Sequence, residues 1–156
     1  MPHQHAEQAE CHDSASLAAD LPLGAHLVTG RQGYAHHGIY AGQGRVIHYA
    51  GFAHALRAGP VEEISLEAFA AGCAVAVRLE PCACFVGTEA VARARSRLGE
   101  SRYRLLSNNC EHFCSWCLSG ESRSEQVEAC LRQPRAALYA MWRLAATVLQ
   151  VSLRAA

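Results

Sequence analysis

Residues 34–51 read YAHHGIYAGQGRVIHYAG, and how this stretch pairs with itself decides the fold. Two β-rich runs, 36–41 (HHGIYA) and 45–49 (RVIHY), flank Gly42-Gln43-Gly44, which predicts a hairpin. If those three residues form the loop, with Gly44 in the left-handed position, Ala41 pairs with Arg45 and Gly38 faces His48. Side chains alternate with period 2, so His36, Gly38 and His48 then share one face, with His36 diagonal to His48 at about 7–8 Å between backbones. A two-residue Gln43-Gly44 turn instead pairs Ile39 with His48 and sends His36 to the other face. Both registers are open at this level. Gly38 is read as leaving room between the two histidines, His37 as a half-buried strand histidine facing the opposite way, and Tyr40 rather than Tyr34 as the tyrosine on the His36 face.

Working outward, 25–29 (AHLVT) and 73–79 (CAVAVRL) read as further strands. Ser65 caps a short helix through Ala71, and Thr88 caps one whose Val91, Ala94 and Leu98 share a face before Gly99. A third helix begins at Asn109 and stops before Gly120, and Ser122 or Ser124 opens a fourth through Arg132. The expected fold class is α+β, an antiparallel β-sheet meander packed against helices. Residues 1–20 read as a flexible N-terminal tail, 21–132 as the folded domain and 133–156 as an apolar to amphipathic C-terminal helix. In that last segment Arg143 interrupts a run that would need about 20 mainly apolar residues to span a bilayer, so a docked or interfacial helix is expected instead of an anchor.

Composition narrows the class. Hydrophobic residues make up 51% of the 156 and charged residues 18%, the balance of a globular protein with one core. Lys plus Arg and Asp plus Glu are 14 each, so no strong field favours nucleic acid as a partner. The N-terminus lacks the basic start and apolar core of a secretion signal, so the 8 cysteines are expected as reduced thiols in a cytoplasmic protein.

The second informative stretch is LLSNNCEHFCSWCLSG, residues 105–120. The dipeptide Asn108-Asn109 supplies a capping side chain, placing Cys110 in the first turn of a helix. There a thiolate faces unsatisfied backbone N–H groups and the positive end of the helix dipole, which together lower a thiol pKa from its free value of about 8.5. The same donors can hold the oxyanion of an acyl-transfer intermediate. Cys110 is therefore the candidate nucleophile, His36 its general base, and His48 the residue that orients or assists the base. Cys114 and Cys117 lie on the same helical face and read as small core residues. A rival arrangement joins Cys82, Cys84, Cys114 and Cys117, with His112, in a zinc site.

At these residues the chain resembles the lecithin:retinol acyltransferase-like (LRAT) family, in its bacterial versions, within the circularly permuted NlpC-type papain-like thiol hydrolases. HHGIY, the histidine of VIH and NCEHF carry the resemblance, over roughly residues 21–128. It implies a sheet bearing the histidines packed against the cysteine helix, and a Cys-His-His triad of Cys110, His36 and His48. It further implies an acyl-thioester formed with the acyl chain of a glycerophospholipid and passed to an alcohol, an amine or water, with no metal or organic cofactor. Ala25, where many relatives carry Asp, and His37, where animal members tend to have an aromatic residue, depart from the pattern.

The leading expectation is thus a thiol-dependent acyltransferase or phospholipase. An acyl lipid is its substrate, and a peripheral membrane surface is a further candidate partner. Arginines 93, 95, 97, 102 and 104 read either as a solvated face or as contacts for lipid phosphates. Two alternatives stay open: a cysteine amidase or peptidase with the same residues and a polar groove, and a non-catalytic, zinc-stabilised binding module.

Overall fold

The computed structural model describes residues 21–51, 58–133, 138–139 and 142. The N-terminal tail and nearly all of the C-terminal helix expected above lie outside the described residues. Five strands form one antiparallel sheet: β1 (His26–Arg31), β2 (Tyr34–Gly42), β3 (Arg45–Gly51), β4 (Gly59–Ser65) and β5 (Val75–Arg78), in the order β4-β3-β2-β1-β5. Four helices accompany it among the described residues: α1 (Leu66–Ala70), α2 (Gly87–Ser96), α3 (Cys110–Ser119) and α4 (Glu125–Arg132). The α+β arrangement expected from the sequence is the one observed, and among the described residues no helix is long and apolar enough to cross a membrane.

The hairpin combines features of both readings. Gly42 pairs with Arg45, so the turn has two residues, with Gln43 and Gly44 both at positive φ as a mirror-image hairpin turn requires. A bulge between Tyr40 and Gly42 absorbs Ala41, and beyond it Tyr40 pairs with Val46, Ile39 with Ile47 and Gly38 with His48. The extra residue of the bulge cancels the one-residue shift that a tight turn alone would impose. His36 and His48 therefore keep a common face through a route the sequence reading did not include.

Each face of the sheet has its own core. Leu27, Tyr40, Val46, Leu66 and Phe69 pack on one side, the side of His36 and His48. On the other, Ile39, Ile47, Tyr49 and Val61 meet Ala90, Val91 and Ala94 of α2 and Cys110, Phe113, Cys114 and Cys117 of α3. Strand β4 (GPVEEIS) went unrecognised in the sequence, since Pro60 and two adjacent glutamates break the strand pattern. It is an edge strand, the place where a sheet tolerates proline and charge.

The caps correct one expectation and settle another. Thr88 does not cap α2, whose N-cap is Val86 with no side-chain bond. Of the two serines before α4, Ser124 is the cap, accepting from the Val127 N–H. Ser65 caps α1 as expected, accepting from the Ala68 N–H.

Candidate active site

Asn109 is the N-cap of α3: its side-chain oxygen accepts from the N–H groups of Glu111 and His112 at 3.0 Å each, and its amide donates to the Leu105 carbonyl. This fixes Cys110 as the first residue of α3, 3% exposed, with the backbone N–H of His37 directed at its sulfur. The His37 N–H is available for this because the pairing of β2 with β3 stops at Gly38 and His48. The sulfur thus sits on the edge of β2 just past the point where β3 leaves it.

Burial is the larger influence on this thiol. It pushes Cys110 up to about 11, and the backbone donors expected to lower it only partly oppose that shift. The thiol is therefore protonated at neutral pH.

His36 lies next to the donor peptide in β2. Its Nε2 is 2.8 Å from His48 Nδ1, with the rings edge to face at 5.0 Å. Burial, followed by His48, Arg31 and His37, holds the His36 imidazole well below the usual histidine range, so it is neutral. His48 Nε2 faces Glu62 Oε1 of β4 at 3.3 Å, a partner that could not be anticipated while β4 was unrecognised. Among the described residues no side-chain hydrogen bond joins Cys110 to His36. The described hydrogen bond of the His36 ring uses Nε2, so Nδ1 is the nitrogen left for a thiol.

Two local readings are corrected. Gly38 does not leave open space: a Cβ there would lie 2.6 Å from Val46 Cγ1 and 2.9 Å from Phe69 Cε2, and the Phe69 ring packs on both His36 and His48. The missing side chain makes room for Phe69. Tyr34 also lies on the His36 face, as alternation from 34 to 36 requires. Tyr34 meets His36 edge-on at 6.3 Å, and burial and then the Cys110 charge raise its hydroxyl pKa, whereas the Tyr40 hydroxyl accepts from the Gly44 N–H at the turn end of the hairpin.

A second polar group on the other face was not foreseen. His26 Nδ1 is 2.7 Å from Glu80 Oε1, His26 Nε2 is 2.9 Å from His37 Nδ1, and His37 Nε2 is 3.0 Å from the Gln126 amide nitrogen. Amide nitrogen only donates, so the chain of donors runs Gln126 to His37 to His26 to Glu80, with both histidines neutral. Burial first, then Arg78 for His26 and the neighbouring His26 for His37, lowers each to about 4. Glu111 joins the group. Burial pushes its carboxyl up, but the Ser124 hydroxyl, the Gln126 N–H, His37 and Arg78 outweigh this and hold it at about 2.

A cavity of about 200 Å³ opens beside this second group, lined by His26, Arg78, Glu80, Glu111 and Ser115 among others, and not by Cys110, His36 or His48. The zinc arrangement is not assembled. Cys82 and Cys84 are exposed while Cys114 and Cys117 are buried in the core, and among the described residues no group of three or more His, Cys, Asp or Glu could hold a metal ion. Three of the five arginines are engaged within the protein: Arg93 with the carbonyls of Trp116 and Cys117, Arg95 with Glu63, and Arg97 with Glu100.

Residues 19–123 match the family described as lecithin retinol acyltransferase, a span that includes His36, His48 and Cys110. The chain belongs to this family. It is also 34% identical over 132 residues to human phospholipase A and acyltransferase 2, an alignment covering 72% of this chain and 80% of the human protein. Within the lecithin retinol acyltransferase family frame, β2 and β3 bring two histidines together and α3 places a cysteine at the adjoining sheet edge.

Proposed function

We propose that the protein is a thiol-dependent acyltransferase or phospholipase acting on acyl esters of glycerophospholipids, with Cys110 as nucleophile, His36 as general base and His48 as the residue that orients His36. The observation that carries this reading is the buried Cys110 thiol at the head of α3, beside the backbone N–H of His37, the residue that follows His36. Family membership and the human phospholipase A and acyltransferase relative supply the reaction class.

With the thiol and His36 both neutral at rest, the reaction runs by general-base catalysis and not from a preformed ion pair. His36 Nδ1 takes the Cys110 proton as sulfur bonds to the ester carbonyl carbon. The Cys110 N–H, which the Asn109 cap does not take, together with the protonated Tyr34 hydroxyl, holds the oxyanion. Collapse breaks the carbon–oxygen ester bond, and the lysolipid alcohol leaves with the proton from His36. The thioester then passes its acyl group to an alcohol, an amine or water, with His36 again moving the proton.

Acyl release from phosphatidylcholine vesicles, compared between wild type and Cys110→Ala, tests this. Loss of the nucleophile is expected to lower the rate by at least ~10³-fold, with a fatty-acyl adduct detected on Cys110 of the wild type by mass spectrometry. Equal rates for the two proteins would end the proposal.

A further inference from the structure

Along the edge of β2 that β3 vacates, three successive hydrogen-bonding positions are filled in three ways. Ile39 faces Ile47 of β3, the His37 N–H goes to the Cys110 sulfur, and Ala35 is met by the side-chain amide of Gln126. Gln126 Oε1 accepts from the Ala35 N–H at 3.1 Å, and its Nε2 donates to the Ala35 carbonyl at 3.3 Å, so one side chain reproduces the paired bonds of a neighbouring strand. The same Nε2 reaches His37 Nε2 at 3.0 Å and Glu111 Oε2 at 3.3 Å, and the Gln126 backbone N–H donates to Glu111 Oε2 at 3.1 Å. Gln126 therefore grips the residues on either side of His36 in β2 and the residue after Cys110 in α3.

No residue of α4 is fully buried, so apolar packing does not set its place. What seats it is polar: Ser124 and Gln126 on Glu111, and Glu125 on Arg78 at 2.8 Å. A general base must be held to within a fraction of an ångström of the proton it removes. With the ladder between β2 and β3 ending at His48, nothing in the sheet pairing itself fixes the β2 edge against the head of α3.

We propose that Gln126 is a positioning residue for acyl transfer: its amide substitutes for the missing strand and sets the distance between the Cys110 sulfur and the His36 imidazole. This rests on the roles given to Cys110 and His36 under Proposed function. Gln126 does not contact substrate. Its replacement is expected to act on turnover, through misalignment of base and thiol, and to leave KM nearly unchanged.

The test uses the full chain in the phosphatidylcholine vesicle assay, with wild type, Cys110→Ala, Gln126→Ala and Gln126→Glu compared between pH 5.5 and 8. Gln126→Ala is expected to lose roughly 10- to 100-fold in kcat at every pH. The carboxyl that Gln126→Glu introduces has, when protonated, the acceptor and one donor of the amide, and Glu111 beside it favours protonation. Gln126→Glu is therefore expected to recover toward the wild-type rate as pH falls, a trend Gln126→Ala lacks. Wild-type kcat in both variants overturns the inference, and so do equal, pH-independent losses accompanied by a matching loss of thermal stability. Full activity in Cys110→Ala removes the parent reading and this one with it, whereas inactive Cys110→Ala with fully active Gln126 variants removes this one alone.

Discussion

The adjacent residues His36 and His37 belong to two histidine pairs on opposite faces of the same sheet, and the contrast between the pairs shows what a pleat does with two identical side chains. Both pairs have ring centroids 5.0 Å apart. His36 and His48 lie against Phe69, with Glu62 at the far nitrogen of His48 and one nitrogen of His36 outside the pair. His26 and His37 have all four ring nitrogens committed in a line from Gln126 to Glu80. A histidine with an uncommitted nitrogen can move a proton, and one bonded at both ends is a structural strut. The pair, as a motif, does not say which it is.

Exchanging the two histidines for glutamine is the strongest way to break this contrast. His36→Gln is expected to reduce vesicle turnover by ~10²–10⁴-fold, the usual range for loss of a general base, while His37→Gln changes it by less than roughly 10-fold. A reversal of those two effects would move the chemistry to the α3 face. Next in size is the steric contact that holds His36 and His48 against the Phe69 ring. Gly38→Ala drives a Cβ into Val46 and Phe69 and should lower unfolding free energy by about 1–3 kcal/mol in urea titration, whereas Gly30→Ala in β1, where a Cβ meets nothing within 4 Å, should stay within about 0.5 kcal/mol.

The smallest expected effect distinguishes the struts by pH. His26 and His37 are held near 4 in the folded protein against about 6.5 unfolded, so the unfolded chain binds more protons between those values. Their contribution to stability is complete above about pH 6.5 and is lost as pH falls through 4, and buried His36 adds in the same direction. Urea unfolding between about pH 7.5 and 4.5 should show this decline. His37→Gln should flatten it by up to about 1.4 kcal/mol per pH unit, the value for one proton. An unchanged slope would mean that His37 is not neutral in the fold.

Much of the site was legible because its determinants are short-range. Asn109 capping α3 involves residues two and three apart, so NNCEHF was enough to place Cys110 at a helix head. The shared face of His36 and His48 belonged to only one of the two registers open in the sequence, and the observed route, a tight turn with a bulge at Ala41, was neither of them. The Gly38 reading erred because a gap in one strand says nothing about which residue fills it, and Phe69 arrives from α1. The thiol reading erred because helix-end donors can be counted locally, whereas the burial that outweighs them depends on the whole packed domain.

The chain alone determined the hairpin, the cap and the candidate trio, since each arises from hydrogen bonds and steric limits acting over a few residues. Tertiary structure decided the rest: Glu62 behind His48, the burial around Cys110, and the grip of Gln126 on Ala35 across 91 residues of sequence. Such contacts depend on where whole elements come to rest, and burial and electrostatics act through space without regard to order along the chain.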